Sequence, residues 1–336
     1  MMETFKRKPH RPDVAEYFRE LRNGNRIFLG RAITLIESTK SEHQALAQEL
    51  IELCLPFSGN SIRIGITGVP GAGKSTFIES FGSYLTSEGK KVAVLAVDPS
   101  SNISKGSILG DKTRMNELAV NPKAFIRPSP ASGSLGGVAK ATRETTILCE
   151  AAGYEIIMIE TVGVGQSETA VHSMVDFFLL LMIAGAGDEL QGIKRGIMEM
   201  ADAIAINKAD GDNINKAKAA RNEFAHAIHL FPAPDWGWIP KVETCSALTG
   251  EGIDKVWALI ESHQNMAKQK GFFGQNRARQ SEYWMLQTIE EGLKNSFFQD
   301  EKVKSMLPEL KEKVKAGQIS SYKAASELLQ VFKHKL

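Results

Sequence analysis

The stretch that decides the fold is GVPGAGKST, residues 68–76. It follows the β-branched run IRIGIT, residues 62–67, and precedes FIESF, residues 77–81, whose apolar spacing predicts a helix. A strand, a glycine-rich turn and a helix start in this order direct several backbone N–H groups at one point, where the helix dipole adds positive potential. The pattern predicts a phosphate-binding loop; a glycine-rich turn without a ligand is the alternative.

Each residue type in this loop suits a bound polyphosphate. Gly71 and Gly73 allow the main chain to curl around a β-phosphate, and Lys74 places a positive charge between the β- and γ-phosphates. The Ser75 hydroxyl is the candidate first protein ligand of Mg²⁺. The predicted nucleotide-binding residues of the loop are Gly71, Ala72, Gly73, Lys74, Ser75 and Thr76.

A second motif, Asn207-Lys208-Ala209-Asp210, predicts which base is bound. It ends the apolar run AIAI, residues 203–206. The Asp210 carboxylate can accept two hydrogen bonds from the N1–H and amino edge of guanine, whereas adenine has an acceptor at N1 and would leave the carboxylate unpaired. Lys208 can lay its aliphatic stem along the purine, and Asn207 can tie this loop to the phosphate loop. These residue types favour guanine.

A third short motif supports the guanine assignment. The triplet Ser246-Ala247-Leu248 follows a predicted strand and can supply a backbone N–H to the O6 atom of guanine. Taken alone, Asn-Lys-x-Asp occurs by chance as a helix cap. Its position after the phosphate loop and before this triplet makes guanine recognition the stronger interpretation, and we expect the nucleotide to be GTP.

A candidate metal ligand stands at the end of another strand. The run YEIIMIE, residues 154–160, predicts a buried strand that ends in the Glu160 carboxylate. It continues as Thr161-Val162-Gly163, so ETVG stands where many GTPases have DxxG. We expect Glu160 to hold Mg²⁺ through a water molecule and the Gly163 N–H to contact the γ-phosphate.

Two further carboxylates are candidate metal ligands. Asp98 follows the predicted strand of residues 92–97, and Asp111 lies in the loop after it. A turn cap at the strand end is the alternative for Asp98, and a solvated loop charge is the alternative for Asp111. The predicted metal environment consists of Ser75, Asp98, Asp111 and Glu160.

The residue after Gly163 predicts a slow reaction. Many small GTPases have a glutamine there that orients the attacking water, but this chain has Val164, and the first glutamine after Gly163 is Gln166. We therefore expect slow intrinsic hydrolysis until a partner completes the site.

Composition predicts a globular cytoplasmic enzyme. The chain has 336 residues and 43% hydrophobic content, enough to bury a sizeable core. A net charge of +2 and a pI near 8.3 give no electrostatic reason to expect nucleic acid or an anionic membrane as partner. The three cysteines form no CxxC pair, which favours a reducing compartment. The basic, polar start of the chain predicts no secretory signal, and the longest apolar run, residues 177–187, is too short to span a bilayer.

The order of predicted elements indicates three parts. Residues 1–57 have a helical pattern, residues 58–264 alternate strands and helices, and residues 265–336 are charged amphipathic helix, from 277 to 298 and again from 301 to 332. The middle part predicts an α/β P-loop domain with a mostly parallel, doubly wound sheet. The apolar stripe of the last part can fold back on the core or form a symmetric dimer contact.

The motifs together resemble one known family. In chain order they are GVPGAGKST, VDPSS, GDKTRM, SGSLGGVAKATRE, ETVGVGQSE, DELQGIKRGIMEMAD and NKAD. This series resembles the MeaB/ArgK family of GTPases over nearly the whole chain. DELQGIK and ETVGVGQSE carry the resemblance more specifically than the phosphate loop does.

The resemblance implies a function and several partners. Members of this family are homodimeric GTPases that chaperone adenosylcobalamin-dependent methylmalonyl-CoA mutase and gate cofactor delivery by the adenosyltransferase. It also implies that Ser75, Asp98, Asp111 and Glu160 form the magnesium environment. Lys194, in DELQGIKRG, matches a mobile loop and is a candidate charge for the γ-phosphate, with a solvated helix lysine as the alternative. The predicted catalytic residues are Lys74, Glu160 and Lys194.

Three other functions remain open because a GTPase motif does not identify the process it controls. One is a kinase or ATPase linked to basic amino-acid transport, against which the motif at residues 207–210 argues. Another is a GTPase metallochaperone, but the pair His226 and His229 lacks a third ligand nearby. The third is a noncatalytic scaffold whose tail helices bind the partner, so that mutations in the phosphate loop leave function intact.

Overall fold

The computed structural model describes residues 12–97, 115–128, 135–161, 167–185, 195–232 and 234–333. The chain divides into two compact units, the first ending at Arg277 and the second beginning at Ala278. The predicted boundaries at residues 57 and 264 remain predictions about domain organisation. Within the described ranges, no helix combines the length and the apolar composition that crossing a membrane requires.

A seven-stranded sheet forms the centre of the first unit, in the order β3-β2-β4-β1-β5-β6-β7. Every described strand pair is parallel. The strands are β1 (Ile62–Gly68), β2 (Val92–Val97), β3 (Ala124–Arg127), β4 (Ile156–Thr161), β5 (Phe177–Ile183), β6 (Ala203–Asn207) and β7 (Lys241–Thr244). The predicted α/β class with a parallel sheet is therefore confirmed.

Helices precede the sheet and connect its strands, because consecutive parallel strands need crossover connections. In chain order they are α1 (Val14–Arg22), α2 (Arg26–Ile36), α3 (Ser41–Cys54), α4 (Lys74–Ser87), α5 (Asn116–Val120), α6 (Leu135–Ala151), α7 (Ser167–His172), α8 (Arg195–Met200), α9 (Ile214–Ile228), α10 (Ile253–Gln269) and α11 (Phe272–Gln299). The sequence predicts crossover helices over residues 74–87 and 189–200, and the second of these is described only from Arg195. The strand β3 was not predicted from the sequence.

Two glycines allow β1 and β5 to approach closely at the centre of the sheet. A Cβ at Gly68 would lie 2.4 Å from the Leu181 carbonyl oxygen, and a Cβ at Gly65 would lie 2.6 Å from Cδ2 of Phe178. Both glycines are buried, and both lie opposite β5 in the register. Glycine at these positions therefore holds β1, and the loop that follows it, tightly against its neighbour.

The N-terminal part of the chain is helical, as predicted, and it packs on the α/β layers of the first unit. Asp13 and Asn25 cap α1 and α2 with their side chains, which explains where these helices begin. Arg22 donates to the Ala151 carbonyl at the end of α6 over 2.8 Å. Glu37 forms an ion pair with Arg127 at the end of β3.

A buried group of charges, which we call the Arg277 cluster, consists of Arg277, Asp176, Glu150 and Arg63. Arg277 donates two hydrogen bonds to the Asp176 carboxylate, of 2.8 and 2.7 Å, and Arg63 donates two to Glu150, of 3.0 and 2.9 Å. Arg277 also donates to the carbonyl oxygens of residues 59 and 61. The cluster joins α6 and the starts of β1 and β5 to the first turns of α11.

The second unit contains the rest of α11 and two further helices, α12 (Glu301–Lys315) and α13 (Ser321–Lys333). The prediction of one helix from 301 to 332 was wrong, because the chain turns between these helices and Gly317 adopts a φ of 68°. Val303, Leu310, Ala324 and Leu328 form a small core between α12 and α13.

Candidate functional site

The phosphate loop has the backbone geometry that its sequence predicts. β1 ends at Gly68 and α4 begins at Lys74. Gly71 and Gly73 adopt φ angles of 76° and 82°, a left-handed conformation that favours glycine. The Ala72 N–H donates to the Val69 carbonyl over 3.1 Å and closes the turn. The loop therefore curls directly into the start of α4, as an anion site at a helix N-terminus requires.

Lys74 folds back over the end of β1. Its Nζ donates to the Gly68 carbonyl oxygen over 3.0 Å. Burial lowers the pKa of Lys74, and the negative charges of Glu160 and Glu168 act in the opposite direction. The charges of two carboxylates therefore act on this ammonium group and favour its protonated form.

Ser75 and Glu160 come together beside the phosphate loop. The Ser75 hydroxyl donates to Oε1 of Glu160 over 3.5 Å, which is a long hydrogen bond. Glu160 is buried at the end of β4, and the next residue, Thr161, donates to the Thr67 hydroxyl of β1 over 2.9 Å. A hydroxyl and a carboxylate are oxygen donors of the kind that Mg²⁺ prefers, so this pair fits the predicted metal.

Asn207 connects the base motif to the phosphate loop. Its amide donates to the Ala72 carbonyl oxygen over 2.8 Å, and its own Oδ1 accepts the Ala247 N–H over 3.0 Å. Asn207 is buried at the end of β6. A Cβ at Gly73 would lie only 3.0 Å from the Asn207 amide nitrogen. One side chain thus joins three loops that are distant in sequence.

Asp210 is held in a defined orientation after β6. The Ser246 hydroxyl donates to Oδ2 of Asp210 over 2.5 Å, and the Thr249 N–H donates to the same hydroxyl oxygen over 3.1 Å. Lys208 adopts a φ of 59°, the one positive φ among the described non-glycine residues. Asn213 supports that turn by donating to the Lys208 carbonyl over 2.7 Å.

The structure brings most of the predicted site residues to one edge of the sheet. Because the strands are parallel, the ends of β1, β4, β6 and β7 all meet there. The residues that follow or end these strands are Gly71, Ala72, Gly73, Lys74, Ser75, Thr76, Glu160, Asn207, Lys208, Asp210, Ser246, Ala247 and Leu248. Leu248 is 80% exposed. The predicted positions Asp98, Asp111, Gly163 and Lys194 lie outside the described residues.

Two residues at this edge have no role of their own in the prediction from sequence. Glu168 lies in the first turn of α7 and is only 1% exposed. An acidic residue at a helix start usually reflects only a favourable interaction with the helix dipole. The sequence therefore gave no indication that Glu168 is buried. Gly252 follows the loop that contains Ser246, Ala247 and Leu248, which we call the serine loop. It has a φ of 76°, and a Cβ there would lie 2.4 Å from the Thr244 carbonyl oxygen, so this position requires glycine.

Comparisons with known proteins show which family this chain is similar to. A family model described as methylmalonyl-CoA mutase-associated GTPase MeaB matches residues 29–302. The GTPase ArgK of Escherichia coli is 52% identical over 86% of this chain and 87% of its own. The methylmalonic aciduria type A homolog of Mus musculus, described as mitochondrial, is 46% identical over 95% of this chain and 80% of its own.

A solved structure is similar over almost the whole chain. It is described as the crystal structure of an LAO/AO transport system kinase, and it shares 42% identity and a TM-score of 0.76. The similarity covers 95% of this chain and 97% of that one. The fold, the nucleotide-site geometry and the family match agree, and the chain belongs to the family of methylmalonyl-CoA mutase-associated GTPases, MeaB.

Proposed function

We propose that this protein is a GTP-hydrolysing switch that chaperones adenosylcobalamin-dependent methylmalonyl-CoA mutase, gating cofactor delivery and protecting the mutase. The observation that carries the GTP part is the Asn207 side chain, which joins the phosphate loop to the loops proposed to contact guanine. The family description, which names the mutase, supports the choice of client.

In the proposed nucleotide complex, the Lys74 side chain turns to the β- and γ-phosphates. Asp210 and the serine loop bind the edge of the guanine base. Ser75 and Glu160 would hold Mg²⁺, with Asp98 and Asp111 as the further ligands of the predicted set. When bound, the ion neutralises charge on the phosphates. The Ser75–Glu160 contact of 3.5 Å supports this assignment because it places two oxygen donors of the kind that Mg²⁺ prefers side by side.

Intrinsic hydrolysis is proposed to be slow, because Val164 occupies the position after Gly163 where many GTPases have the water-orienting glutamine. In this proposal the mutase stimulates the reaction, with Lys194 supplying charge to the γ-phosphate. Lys194→Ala would then leave GTP affinity close to that of the unmodified protein and remove the stimulation. Equal stimulation in both proteins would exclude this role for Lys194.

GTP and Mg²⁺ are proposed to order three segments, residues 98–114, 163–168 and 185–194, and hydrolysis to release them. The mutase would bind differently to the ordered and the released forms of these segments. We also propose a cytoplasmic homodimer that meets the adenosyltransferase as well as the mutase. The exposed apolar side chains on α11, Leu286, Ile289 and Leu293, support a dimer contact. The free, buried thiols of Cys54, Cys149 and Cys245 are in keeping with a reducing compartment.

The first test measures GTP hydrolysis with and without purified methylmalonyl-CoA mutase, in its apo and cofactor-loaded forms. ATP is the control nucleotide, and Lys74→Ala, which should abolish tight GTP binding, is the control protein. We expect slow GTP turnover that the mutase accelerates. Slow GTP turnover that the mutase does not change would support the GTPase activity but exclude the mutase as the client.

The description of the similar solved structure raises a kinase as the second candidate. The arrangement around Asp210 favours guanine over adenine, because its carboxylate would face an acceptor at N1 of adenine. The same assay separates the two functions. Phosphate transfer from ATP to an acceptor, with no preference for GTP, would support the kinase.

A further inference from the structure

The negative charges of two carboxylates, Glu160 and Glu168, both act on the Lys74 ammonium group. We infer that Glu168 is a positioning residue whose charge holds the Lys74 side chain while no phosphate is bound, and that a nucleotide must overcome this attraction. The inference rests on the proposed role of Lys74 as a phosphate ligand. It gives Glu168 an inhibitory role in nucleotide binding, separate from hydrolysis.

The placement of α7 directs Glu168 toward the phosphate loop. Val171, one turn further along α7, packs on β1, since a Cβ at Gly65 would lie 3.0 Å from Cγ1 of Val171. Residues three apart on a helix share a face, so Glu168 also faces the sheet, and it is 1% exposed. Because α7 connects the parallel strands β4 and β5, it runs back along the sheet, and Glu168 lies nearer than Val171 to the nucleotide edge.

The charges around Lys74 indicate what Glu168 does there. Glu160 and Glu168 are the carboxylates whose charges stabilise the protonated form of Lys74 against burial. Glu160 is also reached by the Ser75 hydroxyl, on the side where the metal is proposed. A buried carboxylate is costly unless positive charge compensates it, and Lys74 contributes to that compensation for Glu168.

A polyphosphate brings further negative charge to the same ammonium group. When Lys74 turns to the phosphates, Glu168 loses part of its compensation and repels the ligand. Removing the charge of Glu168 without changing its volume should therefore favour nucleotide binding. This outcome is opposite to the effect of losing an ordinary site residue, which weakens binding.

The first experiment measures the dissociation constants of GDP and GTP for Glu168→Gln. We expect binding to tighten by about threefold to tenfold. Glu168→Met, which keeps the volume without the charge, should tighten binding as well, and Glu168→Asp, which keeps the charge, should stay close to the unmodified protein. Unchanged or weaker binding in folded Glu168→Gln and Glu168→Met would overturn the inference.

The matched control is Glu144→Gln on α6. Glu144 is also buried, at 6% exposure, and has its own lysine partner, because Lys140 lies 3.9 Å away. It therefore reports what neutralising a buried glutamate does to the fold alone. We expect its nucleotide affinity to match that of the unmodified protein, and tightening equal to that of Glu168→Gln would overturn the inference.

A second experiment tests the inferred interaction between Lys74 and Glu168 in the absence of nucleotide. Unfolding midpoints are measured for Lys74→Met, Glu168→Gln and the double variant in nucleotide-free protein. We expect the double variant to lose less than the sum of the single losses, because either change alone breaks the same interaction. Additive losses would overturn the inference. Retention of tight GTP binding by Lys74→Met would instead contradict the proposed function, so the two failures are distinguishable.

Discussion

At the scale of single residues, Asp210 illustrates how a fixed orientation can produce base selectivity. Its Oδ2 accepts the Ser246 hydroxyl over 2.5 Å, and that hydroxyl is itself held by the Thr249 N–H. A carboxylate fixed before the ligand arrives pays less ordering entropy on binding. The same fixed group is left poorly paired when the wrong base enters.

Asp210→Asn should weaken GTP binding by about two orders of magnitude, because two charge-assisted hydrogen bonds to guanine are replaced by one neutral acceptor and a misplaced donor. Preference for GTP over other purine nucleotides should fall in parallel, measured by competition among GTP, ATP and XTP. Asp212→Asn, an exposed change two residues later, is the control. Unchanged guanine preference in Asp210→Asn would contradict the role of this carboxylate.

The phosphate loop and the Asn207 connection could be predicted from sequence, because short motifs specify their backbone and their neighbours in a parallel sheet. The Ser246–Asp210 hydrogen bond and the burial of Glu168 could not. Each depends on how two segments far apart in the chain meet, and a hydroxyl or carboxylate has no periodic pattern that reports its partner.

At the scale of elements, the Arg277 cluster shows how the last residue of the first unit is held at the starts of two central strands. Arg277 donates hydrogen bonds to the Asp176 carboxylate and to two backbone carbonyls. These acceptors lie just before β5 and just before β1, so one side chain contacts the starts of both strands. The planar guanidinium is suited to this arrangement because its donors point in fixed directions.

Arg277→Ala should destabilise the first unit by about 3–5 kcal/mol, because it leaves buried Asp176 without its main partner. Arg277→Lys should recover only part of this loss, since an ammonium group cannot make the same paired contacts. Urea unfolding measures both, with exposed Arg221→Ala on α9 as the control. A loss no larger than that of the control would show that the cluster contributes little.

The boundaries of an element were predicted well where a sequence motif fixes them, and poorly where the element is short. The predicted limits of α4, residues 74–87, match the structure because the phosphate loop fixes its start. β3 has only four residues, AFIR, and too little alternation to be recognised. The division between α12 and α13 was missed because the apolar spacing continues on both sides of Gly317.

At the scale of the whole molecule, Glu150 makes stability depend on pH. Burial acts to raise its pKa, but the Arg63 charge, hydrogen bonds from Arg63 and Ser61, and the Arg277 charge together lower the pKa below the ordinary value of 4.5. A carboxylate with a lowered pKa in the folded state contributes stability above its unfolded pKa. This contribution is lost as the pH falls through the folded pKa.

We therefore expect the free energy of unfolding to decrease as the pH falls below about 5, and Glu150→Gln to show a smaller decrease over the same range. Urea unfolding at neutral and acidic pH measures the difference. The surface variant Glu155→Gln, whose side chain is 49% exposed, should keep the full pH dependence. An identical pH dependence in Glu150→Gln and the unmodified protein would contradict this account.

The exposed stripe on α11 should determine the oligomeric state. Leu286, Ile289 and Leu293 are each at least half exposed, at 50%, 50% and 58%. Replacing Leu286 and Leu293 together by serine should convert the proposed dimer to monomer, measured by light scattering, because apolar burial drives such contacts. Leu230→Ser, at a leucine that is 83% exposed in the first unit, is the control. A double variant that stays dimeric would exclude this stripe as the interface.

The Asn207 side chain has a kinetic consequence. Since one amide bridges the phosphate loop and the serine loop, we expect these loops to move as one body. A departing GDP then cannot release its base first and its phosphates later; both sets of contacts must be lost in a single step. Spontaneous exchange should be slow for this reason, and a client that accelerates it would need only to separate Asn207 from either loop.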